Sequence, residues 1–248
     1  MNIRTATWVI GDIHGGLKAL QQVIERIGPE SMDRLIFLGD FVDGWSESAA
    51  VIRYLMELDQ QYACIFIKGN HDAWCESWLD GTMPGDVEAH WLLQGGLATV
   101  QSYLQLSPEE KLLHLSFFQR MKDYYEEEER LFIHAGFTSL HGPAHDRFVG
   151  THRWDRTLWE MALAMDPRIQ KDSRLYPRRL LLYKEIFIGH TITLKFGSTL
   201  PMQACNVFNV DTGAAYDGKL SAMNIDTKAV VQSDPLPLLY PNEKGRNA

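Results

Sequence analysis

Three short apolar runs set the terms for this chain. TATWVI and DRLIFL run straight into a glycine and YACIFI reaches one after Lys68, and polar residues follow at once: Asp12 and His14, then Asp40, then Asn70 and His71. Between the first two runs lies LKALQQVIERIG, with Leu17, Leu20, Val23, Ile24 and Ile27 at helical spacing and Gly28 as a stop signal. Between the second and third lies SESAAVIRYLMELDQQ, a second helix expected to be capped by Ser46 or Ser48. Strand, loop and helix in repetition predict a parallel sheet covered by helices. In such sheets, functional groups gather at the carboxyl ends of the strands.

The chain has 248 residues, enough for one large domain over 1–248 with a substantial core. Its formal net charge of −8 leaves no overall basic footprint, so nucleic acid is not an expected partner. Three cysteines without a C-x-x-C pair fit buried thiols in a reducing compartment rather than a disulfide framework. The apolar start is too short for a signal peptide, and no stretch approaches the roughly 18 apolar residues of a membrane span. A cytoplasmic protein without a membrane partner is the expectation.

Residues 73–122 read differently. They are helix-rich and aromatic, and suggest a helical insertion over the strand ends, with Ser107, Pro108 and Glu110 as a capping box. Trp74, Trp78 and Trp91 are expected to form its core. DYYEEEERLFIHAG reads as two strands joined through the Glu126–Glu129 run. YKEIFIGHT, ACNVFNVDTGAA and KLSAMNID read as further strands, with a hairpin turn signal at YDGK. Residues 233–248 are proline-rich and predict a surface tail with a frayed end.

The strand ends collect Asp12, His14, Asp40, Asp43, Asn70, His71, His134 and His190. Carboxylate with imidazole suits Mn, Fe or Zn better than Ca or Mg. The set is large enough for two metal ions if one carboxylate bridges them. His141, His145 and His152 have neither helical nor zinc-motif spacing and read as a flexible loop.

In order, the chain carries GDIHGG, GDFVDG, GNHD, HAG and GHT. This series resembles the calcineurin-like metallophosphoesterases, in particular the PPP-type phosphoprotein phosphatases. Its nearest likeness is to short bacterial and phage members and to symmetrical diadenosine tetraphosphatases. The resemblance covers about Trp8 to Ile225. It implies a four-layer αββα sandwich of two mixed β-sheets. It also implies that Asp12 and His14 bind one divalent metal, that Asp40 bridges, and that Asn70, His134 and His190 bind the second. By the same resemblance Asp43 and His71 are a carboxylate–imidazole pair facing the leaving group. Asp72 stands where many members carry Glu and is expected to support the ligands from behind. Two Mn²⁺ ions, or Fe or Zn, would make hydroxide available for in-line attack on phosphorus, with His71 as general acid.

One departure matters. The family places an arginine after the second Asp, whereas this chain has Gly44 and then Trp45. Arg156, in the WDR of THRWDRTLW, resembles the second phosphate-binding arginine of short bacterial members and is the expected principal clamp. Arg153 and Lys68 are further candidate cations, and Trp45 is expected to line a widened mouth. The expected activity is phosphate-monoester hydrolysis on phosphoserine, phosphothreonine or phosphotyrosine in proteins, or on small phosphoesters. The alternative is dinucleoside polyphosphate hydrolysis. A scaffold without catalysis is disfavoured because every expected ligand is present.

Overall fold

The strand β1 (Thr7–Ile10) serves two cores at once. Val9 packs toward a second sheet, and Ile10 packs toward helices. This explains why the run is continuously apolar rather than alternating. A computed structural model describes residues 5–247 of the chain. After β1 come α1 (Leu17–Ile27), β2 (Arg34–Phe37), α2 (Ser48–Gln61) and β3 (Ala63–Phe66). Four helices follow: α3 (Asn70–Leu79), α4 (Gly85–Trp91), α5 (Leu97–Tyr103) and α6 (Pro108–Arg120). The remainder holds β4 (Tyr124–Glu127), β5 (Arg130–Ile133), α7 (Thr151–Trp154), α8 (Thr157–Leu163) and β6 (Glu185–Ile188). The chain then runs through β7 (Met202–Ala204), β8 (Val207–Asn209), β9 (Ser221–Asn224), β10 (Val230–Gln232) and α9 (Leu236–Leu239).

The strands form two mixed sheets, ordered β10-β9-β1-β2-β3 and β4-β5-β6-β8-β7. β1, β2 and β3 are parallel, and so are β5, β6 and β8; the outer strands are antiparallel. Val9, Ile36, Phe132, Phe187 and Phe208 fill the space between the sheets. There the Phe187 ring stacks 5.1 Å from both Phe132 and Phe208. α1 and α2 cover the outer face of the first sheet, and α8 covers that of the second. The result is the αββα sandwich. α3 to α6 extend the helical layer beside α2.

Local signals mostly work as their chemistry demands. α1 ends at Gly28 in the left-handed region (φ 56°). Ser107 and Glu110 make the reciprocal bonds of a capping box. The β4–β5 hairpin turns at Glu128 and Glu129, both with positive φ. Three expectations change. α2 has no side-chain cap, because the Ser48 hydroxyl is drawn to Thr99 and the Asp43 amide. YDGK does not close a hairpin: β8 and β9 lie in different sheets, so this turn carries the chain from one sheet to the other. The C-terminal segment is not frayed through residue 247. Leu236 and Tyr240 are buried, and the Tyr240 hydroxyl bonds the Glu47 carboxylate.

Candidate metal centre

The parallel strands of both sheets deliver their polar residues to one cleft of about 130 Å³. Asp12 and His14 follow β1, Asp40 follows β2, and Asn70 and His71 open α3. His190 follows β6, and His134, after β5, closes the floor beneath them. His14 (φ 52°), Asp40 (φ 54°), Asp43 (φ 73°) and His190 (φ 64°) all sit in the left-handed region, where non-glycine residues are strained. The turn after β2 is held by Asp72, whose carboxylate accepts the amides of Asp40 (2.7 Å), Phe41 (2.8 Å) and Gly69 (2.9 Å). The motif glycines clear space for carboxylates of other strands. A Cβ on Gly69 would meet Asp40 Oδ1 at 2.1 Å, and one on Gly189 would meet Asp12 Oδ1 at 2.1 Å.

Hydrogen bonds set the imidazole tautomers. His134 Nδ1 lies 2.8 Å from the Leu38 carbonyl, and His14 Nδ1 lies 3.1 Å from that of Asp43. A carbonyl only accepts, so both Nδ1 atoms donate and each Nε2 is turned toward the cleft. These Nε2 atoms stand 3.4 Å (His134) and 3.6 Å (His14) from Asp40 Oδ2. His190 Nε2 is buried without a hydrogen-bond partner among the described residues. Burial pushes the His14 and His190 rings well below their usual range, leaving lone pairs turned toward carboxylate oxygens.

The carboxylates tell the same story. Burial, then Asp211 and Asp40, raises Asp12 well above its usual range; burial and Asp40 lift Asp72 to about 6. Burial would also raise Asp40, but the His134, His71 and His14 rings outweigh it and hold it low. Acceptors facing acceptors in a buried cleft call for cations between them. Donor atoms of His14, Asp40 and His71 lie within 4.8 Å of one another, as do those of Asp40, His134 and His190. Asp40 is common to both groups, and both are able to hold a metal ion.

His71 has a second attachment. Its Nδ1 donates to Asp43 Oδ2 at 2.6 Å. Trp91 Nε1 donates to the same oxygen at 2.6 Å, and the Thr99 hydroxyl donates to Asp43 Oδ1 at 2.6 Å. The helices after β3 therefore supply the bonds that fix this pair.

The profile of the calcineurin-like phosphoesterases matches residues 5–212 of this chain. The chain belongs to the calcineurin-like phosphoesterase family. It is a metallophosphoesterase and a phosphoric ester hydrolase. A symmetrical bis(5'-nucleosyl)-tetraphosphatase of Coxiella burnetii (strain Dugway 5J108-111) is 30% identical over 90% of this chain and 89% of its own length. A crystal structure assigned provisionally as a diadenosine tetraphosphatase superposes with TM-score 0.63 at 14% identity, covering 93% of this chain and 94% of that one. A cold-active protein-tyrosine phosphatase of a psychrophilic Shewanella superposes with TM-score 0.56 at 13% identity, covering 93% and 80%.

Around this phosphoesterase cleft the cations differ from expectation. Arg156 lines it, beside His190. Lys68 does not: its ammonium is paired with Glu76, away from the cleft. Arg153 is paired with Asp123 at 2.6 Å. Trp45 is fully buried, with Nε1 donating to the Ala214 carbonyl at 2.7 Å and its ring stacked on Tyr240, so it does not line the mouth. His152 is buried beside Pro143 and Asp146 rather than lying in an open loop.

Ten lining residues lie outside the set expected from sequence, and five of them bear on the chemistry. Asp211 follows β8 in the same strand-end pattern as the others, and VDTG could have revealed it. Trp74 and Trp154 pack edge to face at 5.1 Å over the cleft, against His71 and His190 respectively. Trp74 thus lines the site as well as packing on the helical core, in which Trp78 and Trp91 lie as expected. Lys195 and Arg246 also line the cleft, and neither follows a strand-end motif.

Proposed function

We propose that this phosphoesterase hydrolyses phosphate monoesters, either phosphoserine, phosphothreonine or phosphotyrosine in proteins or small phosphoesters. Asp12 and His14 would hold one divalent transition-metal ion, and Asn70, His134 and His190 would hold a second, with Asp40 placed to serve both. Mn²⁺ suits this donor set, as do Fe and Zn. Such a pair of ions supplies acidified water and neutralises phosphoryl charge. The chain's own contribution is the proton. Asp43 accepts from His71 Nδ1, which leaves Nε2 to protonate the departing oxygen.

That buried pair is the observation that carries the monoester reading. An alkoxide is a poor leaving group and needs an acid, and here three donors hold the acid's carboxylate partner in place. The cleft is below the roughly 300 Å³ of a typical small-molecule site, so it takes the phosphoryl group and leaves the rest of the substrate outside. That suits a phosphate carried on a larger molecule. No nucleic-acid or membrane partner is part of the reading.

A second reading is dinucleoside polyphosphate hydrolysis. Lys195 and Arg156 at the rim favour a longer phosphate chain, and Trp74 and Trp154 offer aromatic faces to a base. The name of the Coxiella relative supports the same reading. A panel of a phosphopeptide, an aryl phosphate and diadenosine tetraphosphate with Mn²⁺-loaded protein separates the two. A kcat/KM highest for diadenosine tetraphosphate would overturn the monoester reading. No turnover on any of the three, with two metals bound, would overturn both.

A further inference from the structure

A phosphoryl dianion entering this cleft meets Asp12, Asp40 and Asp211, yet the position after Asp43 carries no side chain. We infer that Arg246, brought back by the C-terminal segment, is the phosphate-binding cation on the Asp43 side of the cleft. It occupies the place that Gly44 leaves open. The inference rests on the phosphoesterase reading above.

The backbone around Arg246 is shaped for its stem. A Cβ on Gly44 would lie 3.1 Å from Arg246 Cγ, and a Cβ on Gly95 would lie 3.1 Å from the same atom. Both glycines have positive φ, 110° and 105°, and the Gly44 amide donates to the Gly95 carbonyl at 3.2 Å. They form a notch in which a side chain would press on the arginine stem. Past the notch Arg246 lines the cleft, near enough for its charge to act on His14 and Asp211.

The guanidinium is positioned but largely unspent. Nη2 donates to Gln94 Oε1 at 3.0 Å, and the group lies over the Tyr216 ring at 5.5 Å. Nε is buried without a partner, and Gln94 is its one side-chain hydrogen-bond partner among the described residues. Guanidinium donors left over in this way suit a phosphate. Trp45 explains how the tail reaches here. Its ring packs so closely on Gly245 that a Cβ there would come within 2.7 Å, and the Arg246 amide donates to Ala215 at 2.9 Å. Gly44 therefore admits the arginine and Trp45 seats the chain that carries it. Arg156 comes from the segment between α7 and α8 and Arg246 from the C-terminal segment, so the two cations reach the cleft from separate parts of the chain.

The test compares wild type with Arg246→Met, which keeps an unbranched stem in the notch, and Arg246→Lys, which keeps the charge. Orthophosphate binding is measured by calorimetry on Mn²⁺-loaded protein, with metal content by elemental analysis and KM and kcat on an aryl phosphate. Arg246→Met should weaken orthophosphate about 10- to 100-fold, as expected for losing charge-assisted bonds. KM should rise with it, while the chain keeps its full metal content. Arg246→Lys should fall between the two, and ethylguanidinium should restore part of the loss in Arg246→Met. Unchanged orthophosphate affinity in metal-replete Arg246→Met would overturn the inference. So would a loss that tracks metal release or unfolding without guanidinium rescue, or a wild type that binds no orthophosphate. A wild type that binds orthophosphate but turns over no ester would instead sink the proposed activity and leave the binding comparison standing.

Discussion

The floor and the rim of the cleft are made in opposite ways. Every floor group lies within a few residues of a strand end, all but the half-buried His190 are nearly or fully buried, and several are held in strained backbone conformations. The rim cations come from unrelated places: Arg156 between α7 and α8, Lys195 in the turn after β6, and Arg246 near the end of the chain. Arg156 and Lys195 are exposed, and Arg246 is half-buried. A floor bound into two sheets tolerates little movement, because a shift at one ligand moves carboxylates shared by several others. A rim assembled from loops and a tail is free to change its contacts without disturbing the metal ligands. The cations around the cleft thus rest on parts of the chain separate from those that build its floor.

The sharpest way to break this division is to disable the floor without touching the rim. Replacing His71 with Asn should lower kcat on an alkyl phosphate by about 10²- to 10⁴-fold, the usual share of general acid catalysis. Metal content and orthophosphate affinity should persist. On an aryl phosphate with an acidic leaving group the loss should be much smaller. Equal losses on both esters would show that His71 is not the proton donor. A milder blow to the same pair is Trp91→Phe, which removes the indole donor from Asp43 Oδ2. Partners behind a catalytic group are worth about 10- to 100-fold, so kcat should drop by about 10-fold with KM unchanged. A change in KM alone would place Trp91 in binding rather than in support of His71.

Legibility in the sequence follows the same division. The floor could be read because each group sits beside the signal that places it: an apolar run and then a donor, in most cases with a glycine between or just after. The sheets and α1 were legible for the same reason, through periodicity and the Gly28 stop. Asp211 also follows an apolar strand, but its glycine comes two residues after it, so VDTG carries a weaker form of the signal. The rim could not be read. Nothing near Arg246 in sequence marks it, because its place is set by a notch between Gly44 and Gly95, 202 and 151 residues away by their numbering. Lys68 had the opposite fault: it stands next to a motif, yet Glu76, eight residues on in α3, draws it away from the cleft. Trp45 was placed at a mouth for want of knowing that the tail would cover it.

Acid offers a test of the helical cover that braces the floor. Burial, then the charge of Arg53, holds His114 at about 4, and its ring lies 2.9 Å from the Tyr103 hydroxyl. The unfolded chain takes up this proton near 6.5 and the folded chain does not. Stability should therefore fall as pH drops from about 6.5 toward 4, by up to a few kcal/mol, as linkage requires. His114→Gln should show a shallower loss than wild type between pH 7.5 and 5 in chemical denaturation. Parallel curves would mean that His114 is protonated without cost.

The smallest effect separates the two roles open to Trp45. Trp45→Phe keeps an aromatic ring to stack on Tyr240 but leaves the Ala214 carbonyl without its donor. Losing one buried hydrogen bond costs about 1 kcal/mol, which in a domain of this size lowers Tm by roughly 2–4 °C. If Trp45 seats the tail, orthophosphate affinity should weaken by no more than a few-fold, through looser placement of Arg246, while selectivity between small and large esters stays the same. If instead the ring reached the substrate, Tm would hold and KM would change most for the bulkiest ester. The buried ring, closed over by Tyr240 and Gly245, predicts the first outcome. It also makes the comparison of floor and rim depend on a residue that touches neither metal ligand nor substrate.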